Sequence, residues 1–145
     1  QGSKGSFITD DLDIALCTLD LKKHRLMYAG IGNPLYHISG GEFFEYKAGN
    51  AREGCDEKAD CDFTSETLIL RHGDVIYLFT DGYADQFGGQ NHKKYQTGRL
   101  KEVLRRISNY PMPEQCDMLY EEIEMWREEN NEEQTDDILV IGIRI

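Results

Sequence analysis

The sequence predicts an α+β domain organised around β-sheet, and three observations support this prediction. Short apolar runs separated by glycine-rich or charged turns fill much of the first 80 residues, which is typical of strands. Two stretches with helical spacing of apolar residues follow, and an apolar run closes the chain at residues 138–145. Strands followed by two late helices and one more strand form the pattern of an α+β fold.

Four strands are predicted in the first part of the chain. Residues 12–21 form an apolar run that alternates only in part, and residues 25–31 are its predicted hairpin partner across a polar turn. Glycine, asparagine and proline then break the pattern. Two shorter strands are predicted at residues 35–39 and 43–48, separated by a pair of glycines. Consecutive strands of this kind build a meander.

Two further strands and the closing strand are predicted in the second part. Residues 63–70 and 75–80 are predicted strands on either side of a tight turn. The chain is expected to be irregular between residues 83 and 98. The last run, residues 138–145, is almost wholly apolar and is predicted to be a central strand.

Two amphipathic helices are predicted before that last strand. Thr97 lies near the start of the first helix, and Pro111 and Pro113 separate it from the second. The apolar stripe of the first helix consists of Leu100, Val103, Leu104 and Ile107. The apolar stripe of the second consists of Cys116, Leu119, Ile123 and Trp126. Trp126 is therefore expected to pack in the core rather than to bind a ligand.

Length and charge limit the classes of function. The chain has 145 residues, of which 16 are Lys or Arg and 27 are Asp or Glu, so its formal net charge is -11. One domain with its own core is expected, and the acidic balance argues against nucleic acid as a partner. The chain contains no apolar run as long as a membrane helix, and a cytoplasmic location is expected. Residues 1–8 are interpreted as a linker or as added residues, and residues 9–145 as the domain.

The four cysteines do not predict a zinc site. Cys17 and Cys116 lie on predicted apolar faces and are expected to be small buried residues. Cys55 and Cys61 share the polar stretch of residues 49–62, and their pairing under oxidation is the less favoured alternative. That stretch is interpreted as a surface loop, with a mobile flap as the alternative. The four histidines are scattered and receive no metal or base role.

Acidic residues stand at the ends of two predicted strands. Asp81 follows the strand of residues 75–80 within DVIYLFTDG, and Asp136 and Asp137 open the final apolar run within TDDILVIGIRI. Mg²⁺ and Mn²⁺ prefer oxygen ligands and are held by few protein carboxylates, so strand-end aspartates are a plausible ligand set. Paired ions would activate a water molecule and neutralise phosphoryl charge. On spacing alone, a simple turn at Asp81 is the favoured interpretation, and Asp136 and Asp137 could be no more than a charged strand entrance.

The order of these motifs resembles a known family. DVIYLFTDGYAD, then KYQTGRLKEVLRRI, then TDDILVIGIRI are similar to segments of the metal-dependent protein phosphatases of the phosphatase-2C-like superfamily. The upstream LDIALCTLDLKKHRLMYAGIGNPLYHIS also resembles that family, specifically the bacterial sporulation stage II protein E type. The resemblance runs from about Thr9 to Ile145. It implies an antiparallel β-sandwich flanked by helices, of which this chain is the C-terminal part.

The resemblance also implies roles for individual residues. Asp81 and Asp136 match the family's metal ligands for a site that holds two Mn²⁺ or Mg²⁺ ions in the complete domain. Asp137 and Gly82 occupy the neighbouring positions, and Asp13 is a weaker candidate that could equally be a solvated strand residue. Members of the family hydrolyse phosphoserine or phosphothreonine with a metal-activated water and act on sigma-factor regulators, often downstream of a sensor domain.

One expected part of the family pattern is missing. The first metal motif, an Asp-Gly segment that supplies a bridging carboxylate, is expected upstream of residue 12, where this chain has only QGSKGSFITDD. The fragment by itself is therefore expected to be inactive. Without the covering strands and helix, an edge or an apolar face is expected to be exposed, which favours a dimer or a swapped assembly.

Two classes of function follow from the sequence. In the first, the chain is part of a metal-dependent phosphatase that acts on a phosphorylated regulatory protein. In the second, it is a non-catalytic module, derived from a phosphatase fold, that binds a signalling partner. An upstream Asp-Gly motif in the full-length protein would discriminate between the two.

Overall fold

A computed structural model describes residues 13–47, 49 and 65–145 of the chain. The predictions for residues 1–8, for most of the loop of residues 49–62, and for Cys55 and Cys61 lie outside the described residues.

The structure contains nine strands and three helices within the described part of the chain. The strands are β1 (Ile14–Asp20), β2 (Arg25–Ile31), β3 (Leu35–Ser39), β4 (Glu42–Tyr46), β5 (Glu66–Ile69), β6 (Val75–Phe79), β7 (Phe87–Gly88), β8 (Lys93–Lys94) and β9 (Val140–Arg144). The helices are α1 (Gly82–Asp85), α2 (Thr97–Ile107) and α3 (Met112–Glu128). The predicted hairpin β1–β2, the strand pair β3–β4 and the two amphipathic helices are confirmed.

The larger strands form two antiparallel sheets. The first sheet has the order β1-β2-β5 and the second has the order β4-β3-β6-β9, while β7 and β8 form a small separate ribbon. Every pairing within the two sheets is antiparallel. The predicted meander therefore divides into two sheets.

The two sheets pack face to face, and the helices cover the second sheet. Leu26 and Leu68 of the first sheet are buried with Leu35 and Ile76 of the second. Alternate residues of β3 and β6 point to the opposite face and form a second cluster with apolar residues of α2 and α3. The order of layers is sheet, sheet, helices, and the predicted α+β antiparallel sandwich is confirmed.

The outer face of the first sheet is apolar and exposed. Register places Ile14 and Leu16 of β1 on the same face as Met27 of β2 and Ile69 of β5. Each of these four side chains is exposed, and Leu16 is 66% exposed. The sequence predicted an exposed edge or an exposed apolar face, and the β1-β2-β5 sheet carries such a face.

The last strand differs from the prediction. The sequence predicted a central strand at residues 138–145, but β9 covers only Val140–Arg144 and pairs with β6 alone among the described strands. Leu139 and Ile141 remain exposed. An apolar run indicates that a strand is buried, but it does not show whether the strand pairs with one neighbouring strand or with two.

Two local predictions were also wrong. Cys116 is exposed rather than buried, because it lies at the rim of a cavity of about 370 Å³ between α3 and β9 instead of under the helix. Residues 83–98 are not irregular throughout: α1 and the β7–β8 ribbon occupy part of this stretch. Such one-turn and two-residue elements are too short to leave a periodic signal.

A buried His–Asp hydrogen bond lies between the two sheets. His37 of β3 and Asp74, just before β6, lie between the sheets, and His37 Nε2 is 2.8 Å from Asp74 Oδ2. The backbone N–H of Arg71 donates to the same carboxylate oxygen at 2.8 Å. Burial acts to raise the pKa of Asp74, but hydrogen bonds from Ser39, the Arg71 backbone and His37 outweigh it, and the pKa lies below its ordinary value.

We expect Asp74→Asn to destabilise the protein by about 2–3 kcal/mol at pH 7, because hydrogen bonds to a buried charged group are lost. A lowered carboxyl pKa in the folded state adds stability that is present above the unfolded pKa of 3.8 and is lost as the pH falls below it. Urea unfolding between pH 7 and pH 2.5 should therefore show a shallower loss of stability on the acid side in the variant. Asp20→Asn, which removes an exposed partner of Lys23, is the control and should cost under about 1 kcal/mol. If the variant and the wild type lost stability equally between pH 4 and pH 2.5, the stabilising role of the Asp74 carboxylate would be contradicted.

Candidate metal-binding site

Asp81 follows β6, a largely buried strand of the second sheet. All but one of the five residues of β6 are buried, and two residues, Thr80 and Asp81, connect this strand to α1. The Asp81 side chain is exposed at the end of the sheet. A largely buried strand therefore places this carboxylate at the end of the sheet.

Asp136 and Asp137 lie at the same end of the sheet as Asp81. They precede β9, and β9 pairs antiparallel with β6, so that Phe79 is opposite Val140. The end of one strand and the start of the other therefore meet at one edge. The structure brings together the two acidic segments that the sequence singled out.

Thr80 ties these two segments to each other. Its hydroxyl donates to the backbone oxygen of Asp137 at 2.8 Å and accepts the N–H of Leu139 at 3.0 Å. Its backbone N–H donates to the backbone oxygen of Leu139 at 3.0 Å. Three hydrogen bonds from one residue fix the chain after Asp136 against the chain before Asp81.

Gly82 is required by the close approach of these segments. A Cβ atom built on Gly82 would lie 2.4 Å from the backbone oxygen of Asp137, a distance that real Cβ contacts do not reach. Gly82 therefore takes part in the site through the space that it leaves for the backbone, and its conformation needs no positive φ.

Asp13 also faces this end of the molecule. Its Oδ2 atom accepts a hydrogen bond from Asn33 Nδ2 at 3.0 Å, and its carboxylate packs against Gly32, which has a φ of 86°. A cavity of about 190 Å³ between the two sheets is lined by Asp13, Asn33 and Thr80 together with apolar residues. Asp13 is therefore oriented by Asn33 toward the same edge as Asp81.

The carboxylates repel one another electrostatically. The pKa of Asp81 is raised, first by the loss of hydration around its carboxyl and then by the negative charges of Asp136, Asp13 and Asp85. A concentration of negative charge at one edge favours a bound cation, which would relieve the repulsion.

The donor chemistry fits a hard cation but is incomplete within the described residues. Asp81 and Asp136 would supply carboxylate oxygens, the ligand type that Mg²⁺ and Mn²⁺ prefer. In the part of the chain that the structure describes, no group of three or more His, Cys, Asp or Glu side chains is arranged to hold a metal ion. A metal held here would therefore need further oxygen ligands from water or from other parts of the protein.

Sequence reasoning missed Thr80, Asp85 and Gln86. Thr80 belongs to the same motif as Asp81 but was not singled out, and its role depends on contacts with residues 57 positions and more away. Asp85 adds negative charge near Asp81 and pairs with Lys94 at 2.8 Å. Gln86 is buried and hydrogen-bonded to the segment before Asp136. Nothing in the sequence around a single glutamine, in a stretch predicted to be irregular, indicates that it will be buried and bonded to a distant segment.

The chain is similar to known proteins over almost its whole length. Residues 9–145 match the protein family described as Stage II sporulation protein E (SpoIIE). No match was found among curated proteins. Within the described residues, none of the helices has the length and hydrophobicity needed to cross a membrane.

Several solved structures share the fold. The SiaA-PP2C domain of Pseudomonas aeruginosa is 30% identical, with a TM-score of 0.79 over 92% of this chain and 51% of that one. The phosphatase domain of the cell fate determinant SpoIIE from Bacillus subtilis, presoaked with Mn, is 20% identical, with a TM-score of 0.67 over 92% of this chain and 56% of that one. The RsbU and RsbW domains of Rv1364c from Mycobacterium tuberculosis are 17% identical, with a TM-score of 0.61 over 91% of this chain and 35% of that one. This chain thus spans about half or less of the length of these structures.

We expect Gly82→Ala to move the Asp136–Asp137 backbone and to cost about 1–3 kcal/mol, because the added methyl group overlaps a backbone oxygen. Urea unfolding measures the loss, and amide chemical shifts of Asp81, Asp136 and Asp137 measure the displacement. Gly98→Ala is the matched control: a Cβ there meets nothing within 4 Å, and alanine in helix α2 should be neutral or stabilise by up to about 1 kcal/mol. Equal effects of the two substitutions would show that Gly82 is not constrained by the site.

Proposed function

Because the chain belongs to the Stage II sporulation protein E (SpoIIE) family, we propose that it forms the metal-binding edge of a protein serine/threonine phosphatase domain. One observation carries this proposal: β6–β9 pairing brings Asp81 and Asp136 to one edge, where their charges already interact. The family comparison agrees with this reading, since the similar structures include a phosphatase domain presoaked with Mn.

Asp81 and Asp136 are the residues that would hold Mn²⁺ or Mg²⁺, with Asp13, Asp137 and Gly82 supporting the arrangement. Metal ions bound here would supply Lewis acidity and a water of lowered pKa for attack on a phosphate ester. The role of the chain is to hold the two carboxylates at a fixed separation. Thr80 performs this by bonding to the backbone on both sides of Ile138, and Asn33 orients Asp13.

The proposed substrate is a phosphorylated regulatory protein, of the kind that controls sigma factors, and the proposed location is the cytoplasm, where such regulators act. An upstream sensor domain is part of this proposal. Support comes from the kinds of protein that share the fold, which include a cell fate determinant and a protein with RsbU and RsbW domains. The net charge of -11 agrees with a partner other than nucleic acid.

A non-catalytic binding module is the second candidate. It is favoured by one observation: the residues described here hold no group of three side chains suited to a metal ion. In this alternative the fold is retained for contact with a signalling partner. The two candidates differ in whether the full-length protein hydrolyses a phosphate ester.

We expect the full-length protein to hydrolyse para-nitrophenyl phosphate with Mn²⁺ or Mg²⁺, and the 145-residue chain alone to be inactive. Asp81→Asn or Asp136→Asn should lower activity by about 100-fold or more, because metal coordination is worth several kcal/mol in the transition state. Asp117→Asn, which removes an exposed carboxylate from α3, is the charge-matched control and should leave the rate unchanged. Activity that survives Asp81→Asn would contradict the metal assignment, and an inactive full-length protein would favour the binding module.

We expect the 145-residue chain to self-associate through the outer face of the first sheet, as a dimer or a swapped assembly. Leu16→Lys should shift sedimentation toward the monomer, because it places a charge on that apolar face. Leu21→Lys is the matched control, since Leu21 is also 66% exposed but lies in the β1–β2 turn. A compact monomer for the unmodified chain at high concentration would overturn this expectation.

A further inference from the structure

Gln86 places a buried amide between the two acidic segments of the site. It is the first residue after α1, its side chain is fully buried, and it lies five positions after Asp81. Its Nε2 atom donates to the backbone oxygens of Glu133 and Phe87 at 2.9 and 3.0 Å. Its Oε1 atom accepts the backbone N–H of Thr135 at 3.4 Å. One side chain therefore bonds to the backbone on both sides of Gln134.

The backbone of Gln86 is itself anchored in the helical layer. Its carbonyl oxygen accepts the N–H of Tyr95 at 2.9 Å and the indole N–H of Trp126 at 3.1 Å. Tyr95 is buried, and Trp126 packs against the core and meets the Tyr95 ring edge-on. The amide of Gln86 thus extends from a rigid base.

The segment that Gln86 contacts has little other support. Residues 133–139 lie between α3 and β9 without helix or strand, and residues 133–137 are exposed. Thr80 fixes this segment after Asp136, at Asp137 and Leu139. Gln86 fixes it before Asp136, at Glu133 and Thr135. Asp136 is therefore held from both sides, by Thr80, which directly precedes Asp81, and by Gln86, which follows helix α1.

We propose that Gln86 is a positioning residue that sets the separation of Asp81 and Asp136 by clamping residues 133–135. This inference rests on the proposed function for the identity of the ligand, a divalent cation such as Mn²⁺. The clamp itself rests on the hydrogen bonds and the burial of Gln86.

The chemistry of the clamp requires a primary amide of this length. Two carbonyl oxygens need a donor that offers two hydrogens, while the N–H of Thr135 needs an acceptor. Glutamate in place of Gln86 would set a carboxylate against two carbonyl oxygens. Methionine has the same length but makes none of these bonds, so Gln86→Met removes the clamp with little change in volume.

Gln115 is a matched control for Gln86. It is also buried, at 1% exposure, and its Nε2 atom also donates to two backbone oxygens, those of Ser108 and Tyr110. Its Oε1 atom accepts the Tyr77 hydroxyl at 2.6 Å. Like Gln86, it therefore fixes a connecting segment through its side-chain amide, but this segment joins α2 to α3 and lies away from the acidic residues. Gln115→Met should destabilise the fold as Gln86→Met does, without affecting the site.

The first measurement is Mn²⁺ affinity of the full-length protein by titration calorimetry. Gln86→Met is expected to weaken Mn²⁺ binding by about tenfold or more, as losses of residues that orient metal ligands do. Gln86→Glu should do the same, and Gln115→Met should bind as wild type. Wild-type affinity in Gln86→Met, where Asp81→Asn abolishes binding, would overturn the clamp and leave the metal assignment standing.

The second measurement needs no metal. Residue-resolved amide hydrogen exchange should be faster at Thr135 in Gln86→Met, by about fivefold or more, because the Thr135 N–H loses its acceptor and local opening becomes easier. Leu139, which remains bonded to Thr80, should be unchanged, as should Thr135 in Gln115→Met. If wild type binds no Mn²⁺, the proposed function fails, and exchange alone decides the clamp: unchanged exchange at Thr135 in Gln86→Met would overturn it.

Discussion

The antiparallel pairing of β6 with β9 is the constraint on which the candidate site depends. The two strands are separated by 60 residues of sequence, yet Phe79 lies opposite Val140, so the acidic residues next to them share one edge of the sheet. The pairing is anchored on its other side, because β6 also pairs with β3 and is buried between the first sheet and the helices. Backbone pairing within a packed sheet positions the carboxylates more firmly than loop contacts would.

The electrostatics of the site follow from this geometry. Two mobile carboxylates would move apart to lower their repulsion. Here, hydrogen bonds from Thr80 to Asp137 and Leu139 hold the backbone next to Asp81 close to the backbone next to Asp136. The pKa of Asp81 is raised first by the loss of hydration around its carboxyl and then by the neighbouring negative charges. In a folded state that raises a carboxyl pKa, ionisation of that group opposes folding as the pH rises. A bound cation would reverse the sign of that contribution, and the site would then favour the folded state.

The sequence predicted the parts of this arrangement that are local in the chain. Asp81 and Asp136 stand beside strong apolar runs, and strand ends can be read from such runs. The α+β class, the β1–β2 hairpin and the two helices follow from periodicity in the same way. The contacts of Gln86 and the position of β9 at the edge of the sheet among the described strands could not be predicted, since both depend on which distant backbone lies beside them. Cys116 was misassigned because a helical stripe does not show which part of it is covered.

The backbone that positions the candidate ligands is well defined, whereas the number of ligands among the described residues is small. Within the described residues, Thr80, Gly82 and Gln86 contact the backbone around Asp81 and Asp136 and define the shape of this edge. The ligand set is not complete in the same residues, which provide no group of three. Affinity for a hard cation rises with the number of charged oxygen ligands as well as with rigidity. Additional carboxylates would therefore strengthen binding by adding donors to a frame that is already rigid. The family's phosphatase fold and any activity of this chain are thus separable, because the first depends on packing and the second on ligand count.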